Sequence, residues 1–113
     1  MTPSEFVSWL KTECRDAAVK DCIAAYESPP GRKPDQSLVE ISNWFNALAE
    51  QDREMLVRVM SDVADSTLFG VLAVLDGART IEEQGEKSVF HLSAHKAGIE
   101  SVICPGPHDL HDL

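Results

Sequence analysis

The sequence predicts a predominantly helical α+β domain, with a three-helix N-terminal layer that includes a long central helix, followed by a C-terminal β-hairpin. The first observation is a helical hydrophobic pattern from Asp52 to Gly77, which contains an apolar octet, Leu68 to Leu75. Two helix-start motifs precede it, and the hydrophobic period changes from 3.6 to 2 after residue 87. The 113 residues are expected to form a single domain, 1–113, that folds without a disulfide or a metal.

The first helix is predicted over residues 3–27. Thr2-Pro3-Ser4-Glu5 is a capping box with proline at the first helical position. The predicted buried stripe is Phe6, Leu10, Cys14, Ala17 or Ala18, and Cys22. The segment from Ser28 to Pro34 ends the helix, because its prolines and glycine cannot continue it. An interhelical loop is favoured there over a ligand for proline-binding grooves.

A second helix is predicted over residues 37–50, where Ser37-Leu38-Val39-Glu40 forms another capping box. Its buried stripe is expected to be Leu38, Ile41, Phe45 and Leu48, widened by Trp44. The short joint at Gln51 and Asp52 predicts that the second and central helices are antiparallel neighbours.

The central helix is predicted over residues 52–76, with a break at Asp65-Ser66 as the alternative. Its buried positions are expected to be Leu56, Met60, Val63, Thr67, Val71 and Val74. The octet has no polar side, so we expect protein to enclose it on every side.

A β-hairpin is predicted over residues 87–104, with a turn that ends at Gly98. A four-residue loop would place on one face, toward the helices, the pairs Phe90 with Ile103, Leu92 with Ser101, and Ala94 with Ile99. A lone hairpin is marginal in water, so it must pack on the helices or gain a strand. If the added strand came from a second copy of the chain, the shared sheet would form a homodimer through the hairpin. Phe90 and Ile103 are the interface candidates there.

The net charge of −9 lies entirely in residues 35–113, which hold fourteen acids against five bases. An acidic surface repels phosphate, so nucleic acid and anionic membranes are not expected partners. Acidity that serves only solubility is the favoured interpretation, and a basic protein steered by this charge is the alternative and the one partner that the sequence suggests. Either Trp44 or Trp9 is the candidate aromatic anchor for such a partner.

The three cysteines, Cys14, Cys22 and Cys104, fit neither a disulfide framework nor a zinc ribbon, since their number is odd and no CxxC spacing occurs. All three are interpreted as small buried hydrophobes of a cytoplasmic protein. The N-terminus lacks a signal-peptide pattern, and the octet is too short to span a bilayer.

No specific catalytic motif occurs, and the sequence predicts no catalytic residue and no cofactor. One cluster has metal-binding chemistry: Cys104, His108 and His111, at spacings of four and three residues, are ligands that zinc accepts. A small metal-dependent enzyme that uses this cluster is therefore the alternative function. A surface tail without metal is the favoured interpretation of the same residues.

The segment from Ser66 to Gly77, followed by Ile81-Glu82, the hairpin and Leu110-His111-Asp112-Leu113, resembles a small uncharacterised bacterial domain family. The resemblance covers about the C-terminal half and implies only an α+β fold of helices followed by a hairpin, with no activity and no site. Small size, acidity and the lack of catalytic motifs favour a protein–protein interaction or regulatory module, of which an immunity-like protein is one example, over an enzyme.

Overall fold

The computed structural model describes every residue from Met1 to Leu113. Its helices are α1 (Pro3–Leu10), a π-helical segment (Lys11–Asp16), α2 (Ala17–Glu27), α3 (Gln36–Ala47) and α4 (Glu50–Leu75). An antiparallel hairpin of β1 (Leu92–Lys96) and β2 (Ile99–Cys104) follows, and a 3-10 turn (Leu110–Asp112) lies near the C-terminus. Since α1, the π segment and α2 are continuous, the predicted fold class of three helices and a hairpin is confirmed. None of these helices combines the length and apolarity needed to cross a membrane.

The first helix starts at the predicted capping box, where Thr2 and Glu5 each accept a hydrogen bond from the other's backbone N–H. The π segment adds a residue to the helical turn and shifts the inward stripe along the sequence. From Arg15 within this segment onward, the partly buried positions include Arg15, Val19 and Ile23. Cys14 and Cys22 are exposed, so the prediction that all three cysteines are buried is wrong, and only Cys104 is buried.

One packing centre joins α1, the C-terminal half of α4, the hairpin and the C-terminal turn. Its fully buried residues are Val7, Leu72, Ile103, Cys104 and Leu110. Lys11 Nζ also donates a hydrogen bond to the carbonyl of Leu113, at 2.8 Å. The expectation of a C-terminal surface tail is therefore wrong, because Leu110 is part of the core.

A second packing centre lies where α3 meets the end of α2. The buried ring of Phe45 packs against Tyr26, with ring centroids 5.8 Å apart, and the guanidinium of Arg53 lies 5.9 Å from the Phe45 centroid. Burial raises the pKa of the Tyr26 phenol, with a smaller contribution from nearby Cys22.

The inward side of α3 is partly polar. Ser42 and Asn46 donate side-chain hydrogen bonds to the carbonyl of Tyr26, and Asn46 also reaches that of Glu27, so α3 satisfies carbonyls at the end of α2. As a result, Ile41 and Trp44 face outward, contrary to the predicted stripe. The prediction that the second and central helices pack as neighbours is also wrong, because α3 packs mainly against α2.

α4 is unbroken at Asp65-Ser66, and the octet is helical, as predicted. However, it is buried on one side only: Leu72 and Ala73 are enclosed, whereas Phe69 and Val71 are about half exposed. The expectation of enclosure on every side is therefore wrong. Three of the predicted buried positions, Val63, Thr67 and Val71, also face outward.

The hairpin turn contains two residues, Ala97 and Gly98, both with positive φ, which is the backbone that joins right-twisted antiparallel strands. The pairs are Ala94 with Ser101 and Lys96 with Ile99, so the predicted four-residue loop and its register are wrong by two residues. A shift of two keeps each side chain on its face, and Ile103 is buried as expected. Ile99, expected to face the helices, is 68% exposed, because it lies next to the turn at the far end of the hairpin. Residues 87–91, predicted as strand, lie outside β1.

Candidate functional site

The side chain of Asp76, at the C-terminal end of α4, is only 3% exposed and holds the C-terminal turn in place. Its Oδ1 accepts a hydrogen bond from the N–H of Leu110, and its Oδ2 accepts one from the N–H of His111, each at 2.9 Å. Oδ2 also lies 2.6 Å from His111 Nδ1. One buried carboxylate thus connects α4 to a segment 34–35 residues further along the chain.

The two members of this pair shift each other's titration. Burial alone would raise the pKa of Asp76, but the N–H groups of Leu110 and His111 and the imidazole outweigh it, and the pKa lies below its usual value. The hydrogen bond that His111 Nδ1 donates to the Asp76 carboxylate raises the pKa of His111, against a smaller opposing effect of burial. The rings of His111 and Phe69 also meet nearly at right angles, with ring centroids 5.4 Å apart. The arrangement therefore favours an imidazolium–carboxylate pair.

The three metal candidates from the sequence do not converge. Cys104 is buried with its Sγ 3.9 Å from the carbonyl of Phe90, and burial raises the pKa of its thiol, which disfavours the metal-binding thiolate. The potential ligand atoms that lie within 4.8 Å of one another belong to Asp109, His111 and Asp112. Neither Cys104 nor His108 belongs to this group.

The four interface candidates from the sequence differ in accessibility. Trp9 and Trp44 are 57% and 54% exposed, so both indoles are open to a partner. Phe90 is partly buried beside the hairpin. Ile103 is fully buried in the core of this chain and is not accessible to a second molecule.

Trp44 belongs to a defined patch, the α3 face, which consists of Glu40, Ile41 and Trp44. Residues three and four apart lie on the same side of a helix, so Glu40 and Ile41 flank the indole. Ile41 is exposed like Trp44, and no Lys or Arg nitrogen lies within 4.0 Å of the Glu40 carboxylate. The α3 face therefore presents an apolar centre beside an unpaired negative charge.

Unpaired carboxylates are also frequent elsewhere on the surface. Arg15, which bridges Asp16 and Asp65 at 2.9 Å, is the one basic residue in a Lys or Arg ion pair. The exposed acids without a Lys or Arg partner within 4.0 Å include Asp35, Glu40, Glu50, Asp52, Glu54, Asp62, Glu83, Glu86 and Asp109. The negative charge predicted from composition is therefore displayed to solvent rather than neutralised within the chain.

Sequence reasoning identified Trp44 as an anchor but did not find the Asp76–His111 pair. Asp76 stands at a helix end and His111 in a tail, and no local pattern connects positions that far apart. The resemblance to a small bacterial family supplies no residue for either site and stays a prediction. Comparisons of the chain with family models, with curated proteins and with solved structures find no match.

Proposed function

We propose that this chain is a protein–protein interaction module of the regulatory or immunity-like kind, and that its acidic surface binds a basic protein through the α3 face. The observation that supports this most is the half-exposed Trp44, which lies beside exposed Ile41 and unpaired Glu40. Tryptophan is enriched among the residues that dominate binding energy at interfaces, and it needs a desolvated setting to contribute fully.

The exposed carboxylates of this chain indicate which kind of partner it binds. Unpaired carboxylates attract a basic surface over long distances and raise the rate of encounter, while they repel the phosphates of nucleic acids and anionic membranes. The exposed, unbridged thiols of Cys14 and Cys22 support a reducing compartment, and we place the protein in the cytoplasm on that basis. A cofactor has no part in this function.

Affinity capture from a lysate of the source organism tests the proposal. The wild-type chain is expected to retain a basic protein at low salt and to lose most of it at high salt, because screening weakens attraction between exposed charges. Trp44→Ala is expected to weaken binding of the recovered protein by about ten-fold or more, as loss of an interface anchor does. Isothermal titration with the purified partner measures this change.

Trp9→Ala is the matched control, because Trp9 is equally exposed on α1 but lies outside the α3 face. Its affinity for the partner is expected to stay within about two-fold of wild type, as for a residue outside an interface. Recovery of no basic protein at low salt would contradict the proposal. Equal affinity of wild type and Trp44→Ala for the partner would show that the α3 face is not the binding surface.

A second candidate function, a small metal-dependent enzyme, is supported by one observation. Asp109, His111 and Asp112 bring ligand atoms together, and Asp76 holds Nδ1 of His111 as an outer carboxylate does in metal sites. Under this candidate, calorimetric titration with zinc gives one site per chain, Asp112→Asn weakens it and His108→Ala does not. Absence of heat, with no rise in melting temperature, would exclude it.

A further inference from the structure

The chain leaves much more surface exposed than a compact protein of its size. Its accessible surface is 8325 Å², whereas about 6,100 Å² is expected for a 12.4 kDa monomer, an excess of about 2,200 Å². The Cα radius of gyration is 18.5 Å, against about 13 Å expected for a compact domain of this length. A standard stable interface hides about 800 Å² on each partner, so the excess is large enough to include one.

Part of this surface is an apolar ridge on α4. The α4 ridge consists of Met55, Val59, Val63, Thr67 and Val71, which follow one another at steps of four residues. Its four large aliphatic side chains are each between 51% and 61% exposed. Rows at this spacing form the ridges that pack into grooves of a neighbouring helix.

The α4 ridge has no polar group that needs water. Thr67 Oγ1 donates a hydrogen bond to the carbonyl of Val63 at 2.8 Å, so its hydroxyl donor is satisfied within the helix. No member of the ridge is charged, although the chain as a whole carries a net charge of −9. The row itself therefore brings no charge to a contact between two copies, and the charged groups beside it are those of Asp62 and Arg79.

The spacing of the α4 ridge is symmetric about Val63. Each step of four residues turns about 40° around the helix, so Val59, Val63 and Thr67 face a partner, while Met55 and Val71 lie on its two flanks. In an antiparallel pair related by a two-fold axis at Val63, Val59 lies toward Thr67 of the second copy. A two-fold interface requires such self-complementarity, because the same patch is used by both chains. A foreign partner would not require it.

Charges at the two ends of the α4 ridge are complementary in the same arrangement. The Arg79 guanidinium lies over Gly70, where Nη1 is 2.5 Å from the position that a Cβ would take, and it has no carboxylate within 4.0 Å. Asp52, three residues before Met55, is exposed and also lacks an ion-pair partner. The antiparallel pairing brings Arg79 of each chain toward Asp52 of the other.

We propose that a second copy of this chain packs antiparallel on the α4 ridge, across a two-fold axis at Val63. This dimer goes beyond the proposed function and does not depend on it, because the α3 face lies on another helix and takes another partner. It also differs from the predicted homodimer, which uses the hairpin rather than α4. Within one chain the hairpin already packs on the helices through Ile103 and Cys104.

Cysteine cross-linking locates the interface. In a Cys14→Ala, Cys22→Ala background, Val63→Cys is expected to form a disulfide between two chains on mild oxidation, because a residue on a two-fold axis lies opposite its own copy. Val89→Cys, exposed in a loop, is the control and is expected to remain a monomer in denaturing gels. Cross-linking through Ile99→Cys but not through Val63→Cys would place the second copy on the hairpin and overturn the proposal.

A charged substitution on the α4 ridge tests the same interface through the particle mass in solution. Val63→Glu is expected to halve the particle mass measured by light scattering, because two carboxylates that face each other at the axis repel and lose water on burial. Val89→Glu is the matched control and is expected to keep the mass of the wild type. A Val63→Glu chain that keeps a native circular-dichroism spectrum and stays dimeric would overturn the proposal, as would a wild type that is monomeric.

Discussion

Asp76→Asn is expected to lower the free energy of unfolding by about 2–4 kcal/mol, because it leaves buried donors without a full set of acceptors. The native carboxylate accepts hydrogen bonds from two backbone N–H groups, of Leu110 and His111, and also meets the imidazole. Asparagine offers one acceptor oxygen, and its amide N–H₂ would face a donor. Urea denaturation followed by circular dichroism measures the loss.

Asp109→Asn is the control for this substitution, because Asp109 is exposed and its side chain makes no hydrogen bond. Its free energy of unfolding is expected to stay within about 0.5 kcal/mol of wild type. If Asp76→Asn unfolds at the same urea concentration as wild type, the carboxylate does not anchor the C-terminal turn.

The stabilisation from this pair is expected to vary with pH. Folding lowers the pKa of Asp76, so its contribution is present above the unfolded value, about 3.9, and is lost as the pH falls through the folded value. Folding raises the pKa of His111, so its contribution is full below about 6.5 and is lost as the pH rises through the folded value. The difference between wild type and Asp76→Asn is therefore expected to be largest between about pH 4 and 6.5.

Phe45→Ala is expected to cost about 3–5 kcal/mol, the range for loss of a buried aromatic ring. Phe45 is the large apolar side chain buried between α3 and the end of α2, and Arg53 packs on its ring. The Nε of Arg53 is buried without a hydrogen-bond partner, so removal of the ring takes away a principal contact of that guanidinium. Native-state hydrogen exchange is expected to show the α3 amides deprotected first.

The location of the loss distinguishes the two packing centres. Amides of β2 and the C-terminal half of α4 belong to the other centre and are expected to keep more of their protection than α3. Trp44→Ala, on the outward side of the same helix, is the control and is expected to cost under about 1 kcal/mol, as for surface sites. Equal loss of protection in α3 and β2 would mean that the two centres unfold as one.

The elements were predictable because their signals are local. Thr2 and Glu5 mark the start of the first helix, the prolines after Ser28 mark its end, and the change of period marks the hairpin. The hydrophobic pattern does not predict the inner side of α3, because it counts apolar residues only. Ser42 is polar, yet it is buried there because its hydroxyl donates a hydrogen bond to a carbonyl of α2. The π segment shifts the inward-facing row of the first helix from Cys22 to Ile23, and no residue pattern within Lys11–Asp16 indicates it.

The candidate sites were less predictable than the fold, for two physical reasons. The partners of Asp76 lie more than thirty residues away, and no repeat or spacing connects them. Val63 and Val71 were predicted to be buried because a hydrophobic pattern does not distinguish burial within one chain from burial between two chains. In the proposed dimer Val63 is buried against a second copy, so the hydrophobic pattern predicts its burial correctly and only the chain that buries it differs.

Sedimentation equilibrium of the unmodified chain measures directly whether the α4 ridge is covered in solution. A mass of twice the 12.4 kDa chain is expected, with dissociation only on dilution, because the exposed aliphatic row finds its partner in a second copy. A mass of one chain at every concentration would contradict the proposed self-association.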